Sequence, residues 1–266
     1  MKRYGLLMVV CLLLLGLHGA AQVSSQSLTI TYLYDNTTTS SSTKPDWGFS
    51  CLIQGSGNNV LFDTGAKPDI LRANIAALHV DASRINAVVF SHEHADHTGG
   101  VEALGERSGL PTFFPAAFGE ATRAAFIRQG LRLMPVSKAT AVLPGFATSD
   151  EMGTQIREEA LVAEIPDGLV VVVGCAHPGI IPMLKQISAS RKRPIHMVLG
   201  GFHLLQTPTD EVKDIVSQFK GMGIAYAGPT HCTGDGAIEL FRAAYGAHFI
   251  SGGVGTIVRV PAAGVR

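Results

Sequence analysis

The hydrophobic pattern at the start of the chain predicts β-structure. Residues 27–34 alternate between apolar and polar side chains, which is typical of a half-buried strand. Two short apolar runs follow at 49–53 and 59–63, and the segment 55–58 (Gly-Ser-Gly-Asn) between them favours a hairpin. The Ser/Thr-rich segment 36–45 is predicted to be a loop.

After residue 70, strand-like runs alternate with stretches of helical spacing, which indicates an α/β protein with a large sheet content. Helices are predicted at 70–78, 118–129, 179–190, 209–220 and 237–245. Strands are predicted at 85–90, 161–165, 169–173, 196–199, 224–227 and 247–250. No internal segment has the proline or charge content of a linker, so one domain is expected, with 141–158 as a flexible insertion.

The first residues have the composition of an export signal. Lys2 and Arg3 precede the uncharged run 6–17, and small residues occupy positions 19–21. The run is shorter than the roughly 20 residues that span a bilayer. We therefore expect a signal peptide at 1–21 with cleavage near Ala21, a mature domain at 22–266, and a periplasmic or secreted protein without stable membrane insertion. An uncleaved N-terminal anchor is the alternative.

Composition excludes some classes of partner. Hydrophobic residues make up 46% of the chain, which is enough to bury a core and is unlike a disordered protein. The 21 basic and 21 acidic residues cancel, so the basic excess of a nucleic-acid-binding protein is missing and a small-molecule substrate is expected. Without Cys11, three cysteines remain, and an odd number excludes a complete disulfide framework. Oligomeric state is left open.

One short segment concentrates metal-binding chemistry. Residues 92–97 are His-Glu-His-Ala-Asp-His and follow the apolar run 87–90, so they lie on a loop after a buried strand. Three imidazoles and a carboxylate are costly to bury without a partner, and they suit Zn²⁺ or iron. His92 and His94 can point to one metal, while the following turn directs Asp96 and His97 to a second. The alternative is a polar surface loop with incidental histidines.

This motif resembles that of the metallo-β-lactamase superfamily, and the Phe-Asp-Thr-Gly at 62–65 is similar to the superfamily's first motif. The resemblance spans most of residues 28–260 and implies an α/β fold, an αββα four-layer sandwich that binds one or two metals at one edge. Four further segments are similar to the branch named after dihydropterin ribofuranosylaminobenzene 5′-phosphate synthase. They are WGFS at 47–50, GCAHPGI at 174–180, GGFHL at 200–204 and THCTG at 230–234.

The resemblance implies two groups of metal ligands. The first set is His92, His94 and His177, and the second set is Asp96, His97 and His231. His177 follows the predicted strand 169–173, and His231 follows the predicted strand 224–227 and a Gly-Pro turn, so both are expected at strand ends. Asp63 is expected to be buried behind the 92–97 loop and to support it, with a turn cap as its alternative.

The chain departs from the superfamily at one position. Many members have an aspartate there that bridges two metals, whereas Gly174 is followed by Cys175 in this sequence. Both a thiolate ligand and a buried neutral thiol are open for Cys175. His203 is a candidate proton donor or substrate contact, or a structural histidine, and Asp96 is the other candidate for proton transfer. Trp47 is a candidate for the substrate rim, with core packing as its alternative.

These residues predict a metal-dependent hydrolase. One or two Zn²⁺ ions are expected, with iron or manganese as alternatives, and a metal-bound water with a pKa near 7 supplies hydroxide at neutral pH. Asp96 is the only certain carboxylate ligand, so two divalent ions would leave excess positive charge. That charge favours a phosphate, phosphonate or sulfate ester or a carboxylate-bearing substrate. Two alternatives remain: a mononuclear iron enzyme that oxidises sulfur compounds, and a non-catalytic metal-binding or ligand-sensing protein.

Overall fold

Two β-sheets face each other, and helices cover the outer face of each. The structure is a computed structural model that describes residues 27–261. In spatial order, the first sheet contains β13 (Ile257–Val260), β1 (Leu28–Tyr34), β2 (Ser50–Gly55), β3 (Asn58–Phe62), β4 (Ala87–Val89), β5 (Pro111–Pro115) and β6 (Arg132–Val136). The second contains β12 (Tyr226–Thr230), β11 (Ile195–Gly201), β10 (Gly168–Val173), β9 (Leu161–Ile165), β8 (Phe146–Thr148) and β7 (Ala141–Leu143).

Six α-helices complete the layers within the described residues. They are α1 (Pro68–Ala77), α2 (Ala95–Thr98), α3 (Glu120–Arg128), α4 (Ile180–Arg191), α5 (Thr209–Gly221) and α6 (Asp235–Tyr245). Helices α1 and α3 pack on the outer face of the first sheet, and α4, α5 and α6 pack on the outer face of the second. A third core lies between the sheets. This arrangement confirms the predicted four-layer αββα sandwich in a single domain.

Strand β10 shows how the sequence specifies these layers. All six of its residues are buried, and alternate side chains of a strand point to opposite faces. Val171 and Val173 belong to the core under the helices, whereas Val170 and Val172 belong to the core between the sheets. A strand that is covered on both faces needs an unbroken apolar run, because neither face meets water.

The predicted elements are largely confirmed. The hairpin is present, since β2 and β3 pair antiparallel and Gly55 lies opposite Asn58, and all five predicted helices form. The predicted strand at 247–250 is wrong, because Gly246–His248 is a short 3₁₀ helix and Phe249 makes only an isolated bridge with Ala227. Strand β12 begins later than predicted, so Gly228 and Pro229 belong to the strand and not to a turn.

The prediction of a flexible insertion at 141–158 is also wrong. Strands β7 and β8 form a hairpin there, and β8 pairs with β9 and so extends the second sheet. The rest of the segment closes on itself, because Met152 and Glu158 exchange two backbone hydrogen bonds of 2.9 Å. Residues 152–158 are therefore a structured loop, called here the 152–158 loop.

No helix within residues 27–261 is long and apolar enough to cross a membrane. The predicted signal peptide at 1–21, its cleavage site near Ala21 and Cys11 lie outside the described residues. Cys51, Cys175 and Cys232 are buried free thiols.

Candidate metal centre

Five strands end at one edge of the sandwich, and each delivers a polar residue to it. In the parallel parts of both sheets, β3 to β4 and β10 to β12, neighbouring strands run in the same direction, so their carboxyl ends lie together. The residues that follow these strands are Asp63 after β3, the 92–97 segment after β4, Cys175 and His177 after β10, His203 after β11 and His231 after β12.

The three histidines of the first set converge. His92 Nε2 lies 3.1 Å from His94 Nδ1, and the ring of His177 lies 4.7 Å from that of His92 and 4.8 Å from that of His94. One ring nitrogen from each histidine lies within 4.8 Å of the others. The structure thus brings His177 to the 92–97 loop although the two are distant in sequence.

Burial and the neighbouring imidazoles keep His92 and His177 of the first set uncharged. Burial, together with the nearby His203 and His94, lowers the pKa of His177 to about 3. Burial and the surrounding imidazoles also lower the pKa of His92. His177 Nε2 is buried and has no hydrogen-bond partner. A buried, unpaired nitrogen beside two other neutral imidazoles fits a divalent cation, which needs neutral imidazole ligands.

The second set converges next to the first. His97 Nε2 and His231 Nε2 are 3.3 Å apart, and Asp96 Oδ2 lies 3.3 Å from His231 Nε2 and 3.7 Å from His97 Nε2. Burial alone would raise the pKa of Asp96, but the hydrogen bond from His231 and the charge of the two imidazoles lower it well below its usual range. Two Nε2 atoms and a carboxylate directed at one point also fit a divalent cation.

The Nδ1 atom of His97 is held by a buried carboxylate. Asp63 is fully buried, and its Oδ2 accepts hydrogen bonds of 2.7 Å from His97 Nδ1 and from the Ser91 hydroxyl, while Oδ1 accepts the Ser91 backbone N–H. Burial would lower the pKa of His97, but the Asp63 carboxylate raises it above its ordinary value. A proton held on Nδ1 leaves Nε2 of His97 free to bind a metal.

Two supporting residues were missed by the sequence analysis. Asn36, in the segment predicted as a plain loop, accepts a 3.0 Å hydrogen bond from His231 Nδ1 and donates one of 3.1 Å to the His231 carbonyl oxygen. Glu158, in the supposed flexible insertion, is fully buried. The only signal in the sequence is a pair of acids directly before the apolar run of β9, because a buried carboxylate must find partners.

Glu158 orients the loop that carries His177. Its Oε1 accepts backbone N–H groups from Gly174 (3.2 Å), Cys175 (2.9 Å) and Ala176 (2.8 Å), and its Oε2 accepts that of His177 (2.8 Å). Burial raises the pKa of Glu158, although these four hydrogen bonds counteract the rise. One carboxylate thus satisfies four consecutive backbone donors at the end of β10.

Cys175 lies between the two sets. Its Sγ is 3.2 Å from His97 Nε2, and it groups with His92 and His97 on one side and with His231 and Cys232 on the other. Burial raises the pKa of the Cys175 thiol well above its ordinary value in the metal-free protein. The Cys175 thiol therefore lies within reach of residues from both sets.

His203 and Trp47 lie on the rim of the centre. The ring of His203 is exposed and lies 4.2 Å from that of His177, and the Cys232 thiol raises the pKa of His203. Trp47 is 49% exposed and its ring lies 4.8 Å from that of His231, which excludes the core-packing alternative. Leu205 is 59% exposed and its backbone N–H bonds to the Cys232 carbonyl oxygen, so a second exposed apolar residue lies next to the segment that carries His231.

Comparison with known proteins gives consistent results. A family model of the metallo-beta-lactamase superfamily matches residues 45–243. The 7,8-dihydropterin-6-methyl-4-(beta-D-ribofuranosyl)-aminobenzene-5′-phosphate synthase of Methanocaldococcus jannaschii is 26% identical in an alignment that covers 74% of this chain and 85% of that protein. These matches confirm the resemblance that the motifs predicted.

Solved structures agree on the fold. The crystal structure of Tm1679, described as a metal-dependent hydrolase of the beta-lactamase superfamily, has a TM-score of 0.74 and 26% identity and covers 88% of this chain and 99% of its own. The metallo-beta-lactamase fold protein YhfI from Bacillus subtilis has a TM-score of 0.64 at 14% identity and covers 88% of this chain and 100% of its own. The second similarity concerns the fold alone.

Proposed function

The chain belongs to the metallo-β-lactamase superfamily, and we propose that it is a zinc-dependent hydrolase of substrates that carry an anionic group. The observation that carries this proposal is the pair of adjacent ligand sets. They place five imidazoles and one carboxylate at a single edge of the fold, with the unpaired Nε2 of His177 among them.

In this proposal the first set would hold one ion and the second set another, and Cys175 would be a further ligand. A divalent ion bound there supplies an activated water and polarises the bond under attack. The protein's own contribution is orientation. Asp63 and Asn36 hold the Nδ1 atoms of His97 and His231, and Glu158 holds the backbone of His177.

Proton transfer to the leaving group is assigned to His203 or Asp96. His203 is exposed beside His177 and lines a cleft of about 700 Å³ that opens at the first set. A side chain in that position can reach a substrate without being a metal ligand. Asp96 is half-buried, lies against His231 in the second set and is ionised, so it would first have to accept a proton from the attacking water before it could pass one to the leaving group.

The preference for an anionic substrate rests on charge. Asp96 is the only carboxylate in the two sets, so two divalent ions would remain largely uncompensated. The relative from M. jannaschii is named for a compound that carries a 5′-phosphate, which agrees with such a substrate. Trp47 and Leu205 offer apolar surface to an uncharged part of the same molecule.

A substrate panel tests the proposal. We expect protein expressed without added metal to contain zinc in elemental analysis, and to hydrolyse at least one member of a panel of phosphodiesters, phosphomonoesters, sulfate esters, lactones and thioesters. Millimolar inorganic phosphate should inhibit competitively, because it carries the same charge. Iron in place of zinc would favour the iron enzyme. Turnover of no substrate would favour a metal-binding or sensing protein, and the lack of phosphate inhibition would contradict the anionic preference.

Export from the cytoplasm is part of the proposal, since residues 1–21 have the order of charge, apolar run and small residues of a signal peptide. We expect the intact mass of protein from a host that processes such signals to lack these residues. A full-length mass in the membrane fraction would instead indicate a retained anchor.

A further inference from the structure

Two clefts open beside the first set and share a wall formed by residues 155–157. The larger, of about 700 Å³, includes His177 and His203, and the smaller, of about 290 Å³, includes His94. Arg157 lines both clefts, and it is the only lysine or arginine among the residues that line them. Arg157 is therefore the basic side chain that lines the clefts beside His94 and His177.

The backbone that carries Arg157 is held in place relative to the candidate metal ligands. The next residue, Glu158, accepts the backbone N–H of His177 and closes the 152–158 loop by its two hydrogen bonds with Met152. Glu158 and Glu159 are fully buried, whereas Arg157 is exposed. The chain therefore fixes its inner residues to the loop of His177 and directs Arg157 outward, so that only the Arg157 side chain, and not its backbone, has to be ordered on binding.

Arg157 has no partner for its charge in the part of the chain that the structure describes. Within residues 27–261 it makes no ion pair and no side-chain hydrogen bond. The two carboxylates that line the same clefts are engaged elsewhere. Glu93 accepts the Gly119 N–H at 2.9 Å and the Thr122 hydroxyl at 2.5 Å, and Glu151 accepts the Ala117 N–H at 2.8 Å. The Arg157 guanidinium and a metal-loaded first set would repel each other. An anion bound between them would offset this repulsion.

We propose that Arg157 is the specificity-determining residue of this site and that it binds an oxyanion of the substrate, a phosphoryl or carboxylate group placed between its guanidinium and the first set. The planar guanidinium offers paired N–H donors that match two oxygens on one atom. This inference rests on the proposed function, because it assumes that the substrate is anionic.

The test compares Arg157→Ala and Arg157→Lys with the wild type, all loaded with zinc. Titration calorimetry with inorganic phosphate measures binding without turnover. We expect Arg157→Ala to weaken phosphate binding by about 10–100-fold, the range for a lost charge-assisted hydrogen bond, and Arg157→Lys to weaken it less. The ratio of kcat/KM for bis(p-nitrophenyl) phosphate to that for neutral p-nitrophenyl acetate should fall by at least about 10-fold, mainly through KM.

Arg128→Ala is the matched control. Arg128 is exposed at the end of α3, lines neither cleft and has no hydrogen-bond partner in the described part of the chain, so its removal should leave phosphate binding and the substrate ratio unchanged. Elemental analysis should give the same metal content for all variants.

The outcomes separate the two proposals. Wild-type phosphate affinity and an unchanged substrate ratio in Arg157→Ala would overturn the role of Arg157 and leave the proposed function standing. A wild-type protein that loads zinc but neither binds phosphate nor prefers the phosphodiester would overturn the anionic preference, and the role of Arg157 with it. Equal losses in Arg128→Ala would show that net charge acts in place of a specific contact.

Discussion

Replacing His94 by alanine is expected to remove the metal ion of the first set and nearly all hydrolysis. His94 contributes one of three neutral imidazoles to the first set, and two imidazoles leave too few protein ligands to hold a zinc ion at a catalytic site. Loss of a residue that merely orients a ligand costs about 10–100-fold in metal affinity, so loss of a ligand should cost more than about 100-fold. Elemental analysis and a competition titration with a chelating dye measure the change.

The fold should survive this substitution. His94 is exposed. His92 would lose its 3.1 Å contact with His94 Nδ1 but keep its Nδ1 bond to the Ser91 hydroxyl, and the His177 backbone would stay bonded to Glu158. The thermal transition of the metal-free variant should therefore match that of the metal-free wild type. His248→Ala is a suitable control, because His248 is an exposed histidine that stacks on Tyr226 at the opposite end of β12. If His94→Ala kept its metal and its activity, the role assigned to the 92–97 motif would be wrong.

Replacing Glu158 by alanine is expected to lower the free energy of unfolding more than any of the other substitutions proposed for this protein. Four backbone N–H groups at 174–177 would lose their acceptor in a buried region, and each unsatisfied donor costs about 1–3 kcal/mol. The cost of burying the carboxylate disappears at the same time, and water can enter the gap, so the net loss should be smaller than the sum. We expect the free energy of unfolding to fall by about 3–5 kcal/mol, less than the sum for four unsatisfied donors, which lowers Tm by roughly 10 °C in a chain of this size.

Two further variants test whether the loss of stability comes from the four backbone donors at 174–177. Glu158→Gln keeps one acceptor oxygen but directs an NH₂ group at a backbone donor, so its loss should be intermediate. Glu164→Ala removes an exposed acid from β9 that lies 3.6 Å from Arg193, and a surface pair of this kind contributes at most about 1 kcal/mol. Denaturant unfolding of the metal-free proteins measures all three. Equal stability of Glu158→Ala and Glu164→Ala would show that water satisfies the 174–177 donors.

Glu158→Ala should also weaken metal binding, because the backbone of His177 would no longer be held in place. The same residue thus links the stability of the second sheet to the geometry of the first set. The 152–158 loop depends on it as well, so Glu158 connects the metal centre with the cleft wall that carries Arg157.

Elements with a strong local pattern were predictable from sequence. The β2–β3 hairpin has its turn residues between two apolar runs, and α5 and α6 bury one face at helical spacing, so neighbouring residues alone specify them. Strands that depend on distant partners were missed. β6 contains Pro135, which removes a backbone donor, and is stable as a strand because it lies at the edge of its sheet beside β5.

The sequence by itself determined the α/β class, the superfamily and the 92–97 cluster, because each depends on residues close together in the chain. Only the tertiary structure decided what surrounds that cluster. Asn36 and His231 are 195 positions apart, and Glu158 binds backbone groups whose chemistry is the same in every residue, so neither contact has a sequence signature. The exposed place of Arg157 beside His94 and His177 likewise follows from two sheets whose strand ends meet at one edge. Local spacing specifies which groups are available, whereas packing of the sheets specifies which of them meet.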